Sequence, residues 1–206
     1  GEVFTLSLHP ERIYHCQEAL DTTLARARQM QPPVWVAPLG EVDRWWRERS
    51  AFSIRGVESA PGRYAIQVQA NPRATVLARG VKVNRASRHW YGAYSLVEAT
   101  EFEAESPVRP FVGVPPDASQ ALVDFLVSEG HVVERSLDRL AYGVYVQDTD
   151  VSQEKARRQL IDSIEGSPAP LVRLWRWPGG ARSCLSITGD IDSITLVDFV
   201  LRPFEV

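Results

Sequence analysis

Lysine is nearly missing from this chain: of 23 basic residues only Lys82 and Lys155 are lysines, and arginine supplies the rest. Planar guanidinium groups suit the recognition of sugars or carboxylates, although codon bias from a GC-rich genome explains the same skew more simply. A basic surplus is missing too. The net charge of -3 leaves nothing to neutralise a phosphate backbone, which argues against a nucleic-acid partner. Cysteine is limited to Cys16 and Cys184, far apart and each set in an apolar pattern. That excludes a disulfide-rich secreted scaffold, though not a single bridge. No apolar run approaches the length of a membrane span. No signal-peptide pattern opens the chain, which favours a cytoplasmic location over export. No internal repeat or low-complexity tract is evident. The first residue is Gly rather than Met, the mark of a processed chain or of a piece of something longer.

What is present is ordinary for a globular protein. Hydrophobic residues make up 44% and charged residues 24% of 206, enough for one sizeable core or two small ones. Residues 3–9 alternate apolar and polar as a short strand does. Pro10 then suits a helix start, and Ile13, Cys16, Leu20, Leu24 and Ala27 recur at spacings of three and four, one stripe of a long helix. Pro32-Pro33 ends it. Val34-Trp35-Val36 reads as a buried strand, and Gly40 opens a second helix carrying Val42, Trp45 and Trp46 and ending near Arg49. A β-α-β-α run of this kind belongs to layered or barrelled α/β folds.

From residue 51 the punctuation changes. Runs at 52–58, 63–69, 75–83 and 91–102 alternate and are broken by Pro61-Gly62, Asn71-Pro72 and Gly80, which is antiparallel meander chemistry. After Ser106-Pro107 a strand at 108–114 leads to a helix with Leu122, Phe125 and Leu126 inward, begun by an Asp117/Gln120 capping pair and stopped by Gly130. Strands follow at 131–134 and 141–146. Asp150 with Gln153 is expected to cap another helix, whose Ala156, Leu160, Ile161 and Ile164 face inward. Residues 173–177 and 182–188, joined by Pro178-Gly179-Gly180, read as a hairpin or paired strands, and 194–201 as a closing helix. The expected fold is mixed α/β: partial β/α-barrel-like elements at both ends flank a small antiparallel β-sandwich module. The expected divisions are 1–50, 51–105 and 106–206.

The sharpest chemical signal is Thr188-Gly189-Asp190-Ile191-Asp192 at the end of an apolar strand. Acids two residues apart lean to the same side of an extended backbone. Their repulsion is relieved by a divalent cation, or both can cap a helix at a strand-end turn. The aspartate-nucleophile phosphatase pattern also places D-x-D at a strand end. It needs several further β-α units, and only 14 residues follow Asp192. The second signal is Leu6-Ser7-Leu8-His9-Pro10, a histidine at a strand's carboxyl end facing a helix start, where α/β enzymes place functional groups. Considered alone, a histidine that caps the helix or hydrogen-bonds locally is the favoured reading. Trp45-Trp46 among arginines, and Trp175-Arg176-Trp177, suit either sugar stacking or packing, with packing favoured. His89-Trp90-Tyr91 reads as structural.

Taken together, these segments carry a resemblance. Residues 6–49, with Leu-His-Pro, Val-Trp-Val-Ala and Gly-Glu-Val-Asp-Arg-Trp-Trp-Arg-Glu-Arg, resemble the carboxyl-terminal end of a NodB-type polysaccharide deacetylase domain. Residues 176–202, with Arg-Trp-Pro-Gly-Gly-Ala-Arg-Ser and Thr-Gly-Asp-Ile-Asp, are similar to that domain's opening strand. The resemblance implies a deformed β/α barrel that removes an acetyl group from a sugar with a divalent metal, commonly zinc. By position it makes Asp190 the general base, Asp192 a metal ligand, His9 the general acid, and Leu8 part of the acetyl pocket. It implies a carbohydrate substrate and, as partner, the remainder of a longer deacetylase chain.

The sequence also departs from that pattern. The family's metal site needs two histidines about one helical turn apart, and here the histidines are His9, His15, His89 and His131 only. Arg202-Pro203 has the letters of the arginine-proline brace but follows Asp192 too closely. The closing segment precedes the opening one. Without the histidine pair, neither bound metal nor deacetylation is expected of this chain alone. The alternative expectation is a non-catalytic accessory or glycan-binding module.

Overall fold

The computed structural model describes residues 2–8 and 13–189. The chain is mixed α/β and divides into two compact units, residues 1–45 with 182–206, and residues 46–181. The polypeptide leaves the first unit along one helix and returns to it only after the second is complete.

The smaller unit holds a three-stranded, all-parallel sheet of β1 (Val3–Leu8), β14 (Ser183–Gly189) and β2 (Val34–Val36), with β14 in the middle. Cys184 and Leu185, on the central strand, are buried at 1% and 4% exposure, while Phe4 on the edge strand is 63% exposed. Helix α1 (Ile13–Gln29) presents the expected stripe: Cys16, Leu20 and Leu24 are half-buried and Ala27 is buried, amid exposed neighbours. Helix α2 (Leu39–Arg49) begins in this unit. It buries Val42 and Trp45, and the Trp45 ring meets Trp35 of β2 edge-on at 6.2 Å.

The larger unit contains two antiparallel four-stranded sheets. One has the order β3 (Ser53–Ala60), β4 (Arg63–Gln69), β9 (Glu101–Glu105), β6 (Lys82–Val83). The other runs β13 (Leu171–Leu174), β5 (Val76–Arg79), β8 (Tyr94–Val97), β7 (Ser87–Tyr91). One apolar cluster joins them: Tyr64, Ile66, Phe102 and Ala104 from the first, Val76, Ala78, Val97 and Val172 from the second. The alternation of β4, buried at every second residue, is the pattern of a strand with one face inward.

A third, parallel sheet has β10 (Arg109–Val114) between β11 (Val133–Arg135) and β12 (Tyr142–Tyr145). Helices α3 (Gln120–Ser128) and α4 (Glu154–Gly166) contribute Leu122, Leu126 and Ile164 to the core around Val112 and Val114. β10 is buried almost throughout, as a central parallel strand must be.

Buried arginines satisfy the carboxyl ends of both helices. The last carbonyls of a helix have no partner within it and carry its negative pole. Arg79, 2% exposed, donates to the carbonyls of Ile164, Glu165 and Ala169 at 3.0, 3.1 and 2.9 Å, closing α4. Arg49 donates to Ser128 at 2.7 Å and Arg173 to Glu129 at 2.5 Å, closing α3. The Glu129 carboxylate is held in turn by Arg176.

Several expectations change on this structure. The cap of α3 is Ser119, whose hydroxyl accepts from the Leu122 N–H at 3.4 Å, because the helix starts at Gln120 and leaves Asp117 outside. Asp150 does not cap α4; it binds the Ser152 N–H at 2.8 Å in a local turn, and Gln153 at the helix start makes no side-chain cap. The run 75–83 is two strands in different sheets, split where Gly80 takes a φ of 63°. The segments 173–177 and 182–188 do not form a hairpin: β13 pairs with β5, and β14 with β1 and β2. Among the described residues every sheet is open and none closes into a barrel.

Candidate functional site

The sequence-derived site centres on the carboxyl ends of β1 and β14. These strands pair in parallel over six residues, from Val3 opposite Cys184 to Leu8 opposite Gly189. Leu8 is half-buried at the last rung. His9, Asp190 and Asp192 lie outside the described residues. Beneath this end the strands are lined by Ser186, fully buried with no hydrogen-bond partner for its hydroxyl, and Cys184, whose thiol burial and Glu41 push up to about 11. A thiol so raised stays protonated and is a poor nucleophile.

The remaining histidines are dispersed. His15 is exposed on α1, His89 is exposed on β7, and His131 is buried in the larger unit. Among the described residues no three His, Cys, Asp or Glu side chains gather in a way that holds a metal. The tryptophan clusters are packing. Trp177 is 1% exposed, and its ring meets Trp46 edge-on at 5.4 Å. Trp90 and Trp175 donate their indole N–H groups to the carbonyls of Gly180 and Ala181 at 2.6 and 2.9 Å.

The larger unit has a second candidate that the sequence reading did not assemble. In the β11-β10-β12 sheet the chain goes to one side of β10 and later to the other, so a crevice opens at the carboxyl ends of β10 and β12. Open α/β sheets place ligands in such crevices. A cavity of about 380 Å³ lies here, with Ser119, Asp148, Thr149, Asp150, Ser152 and Arg157 on its walls. Asp148 accepts from the Ser119 N–H at 3.0 Å, and this bond holds its carboxyl below the usual range. Hydrogen bonds from Ser152 do the same for Asp150. Arg157 is anchored by its Nε on the Val151 carbonyl at 2.5 Å and lies 5.5 Å from the Phe125 ring centre.

Both acids are therefore ionised acceptors, beside one guanidinium and several hydroxyls. Hydroxyl-rich ligands suit such a wall. Proton transfer near neutrality does not, because both carboxyls are held below the usual range. The sequence offered one usable signal for this crevice, the β-α-β-β order that puts residues 115–119 and 147–152 at neighbouring strand ends.

The chain matches no family model, no curated protein and no solved structure. No described helix is long and apolar enough to cross a membrane.

Proposed function

We propose that this chain is a portion of a polysaccharide deacetylase-like, carbohydrate-active hydrolase, and that these 206 residues alone do not turn over an acetylated sugar. In this reading Asp190 is the general base, His9 the general acid, Asp192 a metal ligand and Leu8 a wall of the acetyl pocket. One observation carries it. Leu8 and Gly189, the residues that immediately precede His9 and Asp190, are opposite each other across a parallel ladder. Two motifs nearly the whole chain apart in sequence are thus each preceded by one of two neighbouring strand ends, which supports a shared site. The open parallel sheet is then an arc of a larger β/α assembly, completed by the remainder of a longer chain.

The zinc that the resemblance implies does not fit the described residues. His131 lies among arginine cations that repel a dication, and His15 and His89 stand exposed on separate elements. No catalytic step is therefore derived through a metal. The test is direct: release of acetate from acetylated oligosaccharides, and zinc content of the purified chain. Neither turnover nor stoichiometric zinc is expected. In a longer polypeptide that supplies a His-x-x-x-His segment, Asp190→Asn abolishes acetate release. If that substitution leaves turnover unchanged, the assignment of the base is wrong.

The crevice between β10 and β12 favours a second reading, a glycan-binding accessory module. Its ionised acids and Arg157 complement sugar hydroxyls. Calorimetric titration with neutral oligosaccharides checks it: measurable binding, weakened at least tenfold by both Asp148→Asn and Arg157→Ala, is the expected result.

A further inference from the structure

The turn that follows α3 is surrounded by donors with nothing to donate to. Arg49 binds the Ser128 carbonyl through Nη1 and the Trp175 carbonyl through Nε, at 2.7 and 3.3 Å, and its Nη2 has no partner. Arg173 binds the Glu165 carboxylate through Nη1 and the Glu129 carbonyl through Nη2, and its Nε has no partner. His131 faces Arg173 across an antiparallel bridge, which puts the two side chains on the same side of the ladder. Neither nitrogen of its ring has a partner. All three residues are more than nine-tenths buried, at 7%, 1% and 3% exposure. The orphaned groups belong to residues that grip or extend one four-residue stretch, 128–131.

Charge is unbalanced in the same place. Arg49, Arg79, Arg173 and Arg176 converge on the two helix ends, while Glu129 and Glu165 are the carboxylates paired with them. Arg49 and Arg79 donate to neutral carbonyls in the bonds described above, and Glu129, the carboxylate near Arg49, is already paired with Arg176. Buried cations without a counter-charge are strongly disfavoured, and buried N–H groups without acceptors compound the cost. A single negatively charged acceptor relieves both.

The geometry points to a bound monovalent inorganic anion, of the halide class, held in the interior of the larger unit by Arg49 Nη2, Arg173 Nε and a ring nitrogen of His131. The unpartnered groups of Arg49 and Arg173 are donors only, a set that one small spherical acceptor satisfies without leaving oxygen atoms of its own to be paired. The imidazole contributes one N–H. The neutral form is the one this surrounding favours, because burial and the nearby Arg173, Arg79 and Arg49 cations hold its pKa well below the ordinary value.

Thermal unfolding of the full chain in sodium chloride and in sodium gluconate, at equal ionic strength, tests the site. The expected result is a melting temperature that rises and saturates with chloride but not with gluconate, since only ligands of the native state stabilise it. His131→Phe is expected to lose the chloride-dependent rise. Crystals grown in bromide supply a check that requires no variant: an anomalous peak within 3.5 Å of Arg49 Nη2 and Arg173 Nε is expected, by analogy with ordinary hydrogen-bond reach. Superimposable melting curves in the two salts, or a water molecule at that position in bromide, would overturn the proposal.

Discussion

Leu8 and Gly189 occupy the same rung of a parallel ladder, although almost the entire chain separates them in sequence. Parallel pairing sets the carboxyl ends of both strands on one edge of the sheet, the edge that α/β proteins use for chemistry. An antiparallel pairing of the same residues would have sent Leu8 and Gly189 to opposite edges. Direction as well as adjacency is therefore what brings these two strand ends together.

The arginine that closes α4 is expected to be essential to the larger unit. Arg79→Met removes three donors from the carbonyls of Ile164, which is buried, and of Glu165 and Ala169, which are half-buried. An orphaned buried acceptor costs about 1–3 kcal/mol, so a loss of about 3 kcal/mol or more in urea-unfolding free energy is expected. Arg79→Lys recovers little, because an ammonium group lacks the fork that reaches three carbonyls at once.

Gly130 stands at a φ of 95°, and a Cβ there would overlap the Leu174 carbonyl. The same residue accepts the Leu174 N–H at 2.9 Å, so the contact cannot be loosened without loss of that bond. Gly130→Ala is expected to destabilise the chain by about 2 kcal/mol, the range for a side chain forced into this backbone region. Gly92→Ala, also at positive φ but with open space around it, is expected to cost less.

Acid is expected to weaken the fold through His131. Its pKa in the folded state is depressed by burial, then by Arg173, Arg79 and Arg49; the paired carboxylates around the same turn are Glu129 and Glu165. The unfolded chain takes up a proton below the ordinary value of 6.5 while the folded chain does not. Stability is therefore full above that value and falls as the pH drops below it. In His131→Gln, this share of the slope of unfolding free energy against pH, between about 6.5 and 5, is expected to vanish.

Much of the fold was legible because its elements follow local rules. The α1 stripe from Cys16 to Ala27, the alternation of Tyr64, Ile66 and Val68, and the stop at Gly130 all express a period or a backbone preference carried by neighbouring residues. What was not legible depended on partners distant in sequence. Nothing around Leu171–Leu174 announces that it pairs with Val76–Arg79, or that Ser183–Gly189 lies between Val3–Leu8 and Val34–Val36. The buried arginines misled for a related reason. On composition they read as groups for sugar or carboxylate recognition or as codon bias, yet Arg79 and Arg173 are among the most enclosed side chains of the molecule. Their partners are main-chain carbonyls, which no residue alphabet displays. The candidate crevice was hidden likewise: Asp150 read as a helix cap rather than as the acceptor of a local turn, and Asp148 joins Ser119 only through the order of strands.

The middle strand of the smaller unit is also made long after the two strands it joins. β1 and β2 are synthesised early, but β14, which alone hydrogen-bonds to both, begins at Ser183. At ordinary elongation speeds the wait is on the order of ten seconds. During that interval two nascent edge segments, one bearing exposed Phe4, have no sheet to join, while the intervening residues are free to collapse on their own. Assembly of the smaller sheet should therefore follow synthesis of the whole larger unit.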